Sequence, residues 1–303
     1  MYGDDLIMND HTACIILNML NGFGGISAWK SRGSHVEALL KACGSISAVF
    51  ELNTNRLSRI EGVSIDRVER ISRWRELVNL DRELETAKNN GVTIICRTDH
   101  EYPDSLRKLR YPPLCIYVLG IMPADLDRES IAIVGTRSPT DFGIRMARKL
   151  SQSAASVGWT TVSGLASGID TVAHQTTLAA GGRTVAVLGS GLAKVHPESI
   201  ELMRDIVQFG GAVVSEYPMN TETTRYTLPR RNRIIAALSS CTLVIEASDK
   251  SGALITAANA TELEHHVFAV PGDEDNPLAT GCSTLVRQGA KPVTDFSDII
   301  NDN

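Results

Sequence analysis

Residues 131–143 read IAIVGTRSPTDFG, and this stretch constrains the fold more than any other. Four apolar residues, Ile131 to Val134, predict a buried strand ending on Gly135, and the polar turn Thr136-Arg137-Ser138-Pro139-Thr140 follows. Beyond it Phe142, Ile144, Met146, Ala147, Leu150, Ala154 and Val157 recur at three- and four-residue spacing, which predicts a helix packed back on the strand. A strand-turn-helix unit of this kind brings free backbone N–H groups and the positive end of the helix dipole to one surface. Arg137 adds a permanent cation with planar donors. Two readings of the turn stand side by side. It is a cradle for an anion, a phosphate above all, or a tight connection in which Gly135 serves the backbone and Arg137 is a surface charge.

The alternation then repeats. Short apolar strands are expected at 160–162, 183–188, 212–214, 241–245 and 267–270, each followed by a glycine or small polar turn, with helices at 170–180, 197–209, 230–239, 251–265 and 283–288. Strands alternating with helices define an α/β fold with a Rossmann-like, doubly wound, mainly parallel sheet. In such a sheet a ligand lies at the carboxyl ends of the strands, where the strand order reverses.

The front of the chain differs. Ala13, Ile15, Ile16, Met19 and Leu20 form one amphipathic stretch and Val36, Leu39 and Leu40 another, while 57–71 places Gly62 between two short apolar helices. The last segment is similar to a helix-hairpin-helix or SAM-like module, although Glu61 and Asp66 beside its turn would repel phosphate. The expected organisation is a small all-helical domain over 1–85 and a sheet domain over 86–303, in line with the two domains that ~150 residues per domain suggests. A charged helix at 75–87 connects them, and short strands at 92–96 and 114–119 flank a proline-marked loop ahead of the main sheet.

Composition excludes several classes. No apolar run approaches the ~18 residues of a membrane span, and the start of the chain is polar and acidic, so a cytoplasmic protein without membrane contact is expected. The formal net charge of -5 argues against a wholly basic nucleic-acid binder but leaves room for a local basic site. Cys14, Cys43, Cys96, Cys115, Cys241 and Cys282 are scattered without a C-x-x-C pair and read as small buried core residues, with no metal and no cofactor expected.

Other strand ends repeat the chemistry of the first. Ser163-Gly164-Leu165-Ala166-Ser167-Gly168-Ile169-Asp170 puts two glycines and two serines ahead of a helix that Asp170 can cap. Pro229-Arg230-Arg231-Asn232-Arg233 is the most informative run: with proline at a helix start, three arginines oppose the dipole, and a bound polyanion would explain them. Past Glu246, the residues Lys250, Ser251 and Gly252 open a third anion nest, weakened by Asp249. The catalytic inventory is thin. There is no G-x-S-x-G elbow and no G-x-x-x-x-G-K-[ST] loop, His174 reads as a packed helix residue, and Glu216 is a single carboxylate without a partner. These residues describe a binding site and not an enzyme.

In this order and spacing the chain resembles the DNA-processing protein A family, also called Smf. The matching pieces are Val134-Gly-Thr-Arg137, 163–170 with Ala173-His174, Gly181-Gly-Arg-Thr184, Ser215-Glu-Tyr-Pro218, 229–236 with Leu238-Ser239, 251–256, Pro271-Gly272 and Gly289-Ala290. The resemblance implies a homodimeric protein that binds single-stranded DNA with little sequence preference. Such a protein protects incoming strands in natural transformation and helps load a RecA-type recombinase. Carried over, the DNA and phosphate contacts fall on Gly135, Thr136, Arg137, Ser163, Gly164, Gly168, Arg230, Arg231, Asn232, Arg233, Lys250, Ser251 and Gly252. The chain departs from the family pattern at Leu228, where a phenylalanine is usual, so that a base-stacking platform there is either lost or supplied by Tyr226; at His196-Pro197, where a Tyr-Pro pair is common; and at Ser283, where asparagine is expected. With the sheet pattern running to the last residues of the sequence, the small winged-helix-like tail of many members is expected to be absent. Two rivals are weaker. A phosphoribohydrolase of the lysine-decarboxylase-like type needs a P-G-G-x-G-T-x-x-E run, and 249–256 lacks its glutamate; a dinucleotide-dependent oxidoreductase needs G-x-G-x-x-G, which Gly135-Thr-Arg-Ser lacks.

Overall fold

The structure, a computed structural model, describes residues 8–22, 34–126, 128–273 and 276–301. The polar first residues and the 23–33 part of the front unit lie outside the described residues. The front helices are α1 (Asp10–Gly22), α2 (Ser34–Cys43), α3 (Thr54–Leu57), α4 (Ile65–Ser72), α5 (Trp74–Leu77) and α6 (Leu80–Asn89). Between α3 and α4 Gly62 adopts φ +85, the left-handed turn that glycine alone reaches without strain.

The sheet strands are β1 (Val92–Cys96), β2 (Cys115–Gly120), β3 (Ser130–Gly135), β4 (Thr160–Ser163), β5 (Thr184–Leu188), β6 (Ala212–Ser215), β7 (Cys241–Ile245), β8 (His266–Ala269) and β9 (Lys291–Pro292). The later helices are α7 (Asp104–Arg107), α8 (Asp141–Ser156), α9 (Ile169–Ala179), α10 (Ile200–Gln208), α11 (Thr227–Ala237), α12 (Ala253–Glu262), α13 (Thr280–Arg287) and α14 (Ser297–Ile300). The nine strands of the described residues join one sheet in the order β1-β2-β6-β5-β4-β3-β7-β8-β9. From β6 to β9 every pairing is parallel. The two strands expected ahead of the sheet extend its edge instead: β1 pairs antiparallel with β2, and β2 antiparallel with β6.

Period-two alternation sets the layers. Ile131 and Ile133 face α8 and α9 with Ala147, Leu150, Ala154 and Ala173, while Ala132 and Val134 face α11 and α12 with Ile234, Ile235 and Ala257. Both faces are covered, as a parallel sheet requires. Each such large aliphatic side chain contributes about 1.5–3 kcal/mol by leaving water. The front helices share a continuous apolar cluster with Leu188, Ile206, Val213 and Met219. Polar clasps close the seam, with Asn18 Nδ2 donating to the Glu216 carbonyl at 3.0 Å and the Met219 N–H donating to Glu83 Oε1 at 2.7 Å.

Strand order reverses at β3, whose two parallel neighbours are β4 and β7. The crevice between the β3–α8 turn and the β7–α12 loop is therefore the place where this topology puts a ligand.

Candidate functional site

Three strand ends meet at that crevice because glycine lets them touch. A Cβ at Gly135 would collide with the Ile245 carbonyl oxygen, and one at Gly168, where φ is +84, with the Thr136 carbonyl oxygen. The contact is tied by hydrogen bonds: Thr136 N–H donates to the Glu246 carbonyl at 2.7 Å, and Ile169 N–H to the Thr136 carbonyl at 3.1 Å. The result is a cleft of about 390 Å³ lined by Gly135, Thr136, Arg137, Ala166, Asp170, Arg225, Leu228, Arg231, Asn232, Ser251, Gly252 and neighbouring residues.

The helix end that the sequence offers to a phosphate already holds an anion of its own. Glu246, 3% exposed and with φ +49, turns its carboxylate onto α8: Oε2 accepts from the Thr140 N–H at 2.8 Å and Oε1 from the Thr140 hydroxyl. Gly143 is required there because a Cβ would run into that carboxylate. A left-handed conformation at a non-glycine residue costs of order 1–3 kcal/mol and is retained here by these bonds. The expected anion cradle is thus not the start of α8 but the open side of the turn, where Arg137 is exposed and in no ion pair among the described residues.

The second loop is corrected in the same way. Ser163 is fully buried, its hydroxyl donating to the Ile133 carbonyl at 2.6 Å. Gly164 N–H donates to Asp170 Oδ2 at 3.1 Å, and its carbonyl accepts from Arg231 Nη1 at 2.6 Å. Both residues are spent inside the fold, and Gly168 contributes by permitting the close approach to Thr136.

The arginine run divides by helix face. The helix α11 begins at Thr227 rather than Arg230, because Thr224 Oγ1 accepts the Thr227 N–H at 3.1 Å. Pro229 therefore sits inside the first turn, and the arginines fall beyond it. Arg230 and Arg233, three residues apart, both reach Glu216, the former at 3.6 Å, and neither lines the cleft. Arg231 points to the cleft floor and is 4% exposed. Its Nη1 donates to the Gly164 and Val187 carbonyls and its Nε to Asn232 Oδ1 at 3.2 Å, so it staples the ends of β4 and β5. Burial lowers its pKa to about 10, with the Asp170 carboxylate opposing that shift. Burial also raises Asp170, with Arg231 opposing. Asn232 Nδ2 donates to the Gly252 carbonyl at 3.0 Å and thereby fixes the start of α12.

What remains open to a ligand is a smaller set. Arg137 stands on one wall. At the other, α12 begins with Gly252 as its N-cap, without a capping side chain, and Ser251 Oγ accepts from Ala253 N–H at 3.3 Å. Lys250 is exposed on the adjoining loop, outside the cleft lining. Asp249, expected to weaken that loop's field, accepts from the Thr284 hydroxyl at 3.4 Å. Arg225, which no sequence motif above marks, is an exposed cleft residue whose guanidinium lies 4.8 Å from the Tyr226 ring centroid and donates to its hydroxyl at 2.6 Å. Its signal was an arginine beside an aromatic just ahead of the helix.

Fold and cleft define a doubly wound α/β protein with an arginine-lined cleft at the switch point of its sheet. Within that class the chain belongs to the family described as DNA recombination-mediator protein A, which matches residues 93–303. It is 39% identical over 250 residues to the Smf protein of Synechocystis sp., covering 80% of this chain and 62% of that one. It is 36% identical over 223 residues to the DNA processing protein DprA of Bacillus subtilis, covering 74% and 75% respectively. The X-ray structure of DprA from Streptococcus pneumoniae superposes with a TM-score of 0.77 at 28% identity, over 96% of this chain and 97% of that one. A structure of DNA processing protein A from Helicobacter pylori, described for its single-stranded DNA binding mode, gives a TM-score of 0.61 at 25% identity, over 69% and 94%.

Proposed function

We propose that the chain binds single-stranded DNA along the switch-point cleft, holding the sugar-phosphate backbone and not a base sequence, as a DNA-processing protein of natural transformation. The observation that carries this reading is the pair of exposed guanidinium groups, Arg137 and Arg225, on a cleft that also contains Ser251 and Gly252 at the start of α12. Arginine forks and helix N–H groups suit phosphate oxygens, and a ring such as Tyr226 suits a stacked base. The described DNA binding of the Helicobacter pylori relative supports the same reading.

The reading is of a binder and not a catalyst, since Asp170 in the cleft lining and Glu246 behind the β3–α8 turn are engaged by backbone amides. Protection of incoming strands, loading of a RecA-type recombinase, a homodimer and a cytoplasmic setting belong to the same proposal. Among the described residues no helix is long and apolar enough to cross a membrane.

Labelled oligo-dT titrated at several salt concentrations, beside a duplex control, tests the proposal. Preference for the single strand with log affinity falling against log salt is the expected result. Equal affinity for the duplex or a flat salt response overturns it.

A further inference from the structure

The cysteines read as separate core residues, yet the fold brings three of them to one seam between α1 and the β1–β2 pair. His11 and Cys14 lie three residues apart on α1 and so share a face of that helix. Cys96 closes β1 and Cys115 opens β2 directly opposite it, with their Sγ atoms 3.5 Å apart. Cys14, Cys96 and Cys115 belong to one apolar cluster, and all three are 0% exposed. At the solvent edge of this group His11 Nδ1 lies 2.9 Å from Asp99 Oδ2. A ring nitrogen of His11, the Cys96 sulfur and an Asp99 oxygen lie within 4.8 Å of one another. Asp99 is held in place, since its Oδ2 accepts from the Cys96 N–H at 2.8 Å and its carbonyl from Arg107 Nη2 at 2.7 Å.

We propose that this seam is a binding site for one thiophilic divalent cation, Zn²⁺ by its donor chemistry, held by His11, Cys96 and Asp99 with an adjoining thiol, Cys14 or Cys115, in the fourth position. Imidazole nitrogen, thiolate sulfur and carboxylate oxygen are the donors that zinc takes in tetrahedral sites. A tetrahedron with zinc–sulfur bonds of ~2.3 Å has edges of roughly 3.8 Å. The Cys96–Cys115 separation of 3.5 Å is close to that edge and far from a disulfide of ~2.05 Å. A disulfide between those two would leave Cys14 and the His11–Asp99 pair unexplained, and thiols that only fill a core need no imidazole and carboxylate at their edge. Half-exposed His11 gives the ion a way in from solvent. The ligands come from α1, from β1 and from the turn after β1, so the ion clamps the helical front to the edge of the sheet, away from the cleft.

The test uses the full chain, tag-free and reduced, dialysed against Zn²⁺ and then assayed with a chromophoric chelator. About one zinc per chain is expected, with binding weakened at least 10- to 100-fold in His11→Ala, Cys96→Ala and Asp99→Asn and unchanged in Cys241→Ala. Loss in either Cys14→Ala or Cys115→Ala identifies the fourth donor. Co²⁺ added to the unaltered chain gives a readout independent of whether variants fold: thiolate charge-transfer and tetrahedral bands support the site. No zinc retained, no such bands, retention undiminished in Cys96→Ala, or a metal-free Cys96–Cys115 disulfide found by mass overturns it.

Discussion

Arg231→Ala separates a structural arginine from a ligand-gripping one. In the native chain Arg231 supplies donors to the Gly164 and Val187 carbonyls at the ends of β4 and β5, and faces Asp170, which is 7% exposed. Truncation strands both carbonyls, at about 1–3 kcal/mol each, and removes the positive charge that opposes the burial penalty on Asp170. Breaking a buried charge pair costs about 3–5 kcal/mol. These effects overlap, because water entering the vacated space re-satisfies part of the loss, so a total of about 4 kcal/mol is expected. At an m-value of about 3 kcal/mol/M the urea midpoint falls by about 1.3 M, followed by tryptophan fluorescence. Arg137→Ala is the control. That residue is exposed, so its stability change stays within about 0.5 kcal/mol, while single-strand affinity drops and the log–log salt slope shrinks by about 0.7. An unchanged midpoint in Arg231→Ala together with lost DNA affinity would refute the reasoning and return Arg231 to the role of phosphate contact.

Three further outcomes follow from the same geometry. His174 is fully buried, its Nδ1 2.7 Å from Thr184 Oγ1, and burial lowers its pKa to about 3 from 6.5. The unfolded chain binds the extra proton first, so this site's stability is complete above pH ~6.5 and is lost toward the folded value at about 1.4 kcal/mol per pH unit. In urea titrations between pH 6 and 4.5, His174→Gln flattens that decline. Gly168→Ala forces a side chain at φ +84 against the Thr136 carbonyl oxygen, so unfolding measurements report a loss of about 1–3 kcal/mol and oligo-dT affinity falls as the Arg137 turn moves. Arg225→Ala leaves the urea midpoint in place and reduces the salt slope of oligo-dT binding by about 0.7.

Local signals carried much of this architecture. The apolar run 131–134 and the helical spacing after it read directly as β3 and α8, because both patterns are set by short-range periodicity. The glycines at 135 and 168 marked where loops approach, and the crevice between β3 and β7 follows from their meeting. Partners distant in sequence were not legible. That β2 adds antiparallel to β6, and β1 antiparallel to β2, depends on tertiary pairing which short runs flanking Pro103, Pro112 and Pro113 do not encode. The arginine run looked like one cationic patch, yet the helix turns Arg230 and Arg233 to Glu216 and Arg231 into the floor. Glu246 was invisible as an internal anion because its backbone enters the left-handed region and its acceptors' donors lie 106 positions away. The three clustered cysteines escaped for the same reason: 14, 96 and 115 meet only when α1 packs on the sheet edge.

Photocrosslinking of an iodouracil-substituted oligo-dT to the intact chain, with the modified peptides mapped by mass spectrometry, addresses the central claim most directly. Adducts confined to the segments around 134–140, 225–232 and 248–256 are the result the cleft predicts. Adducts concentrated instead on the front helices around Asp66, Glu69, Arg70, Arg73 and Leu77 would contradict it.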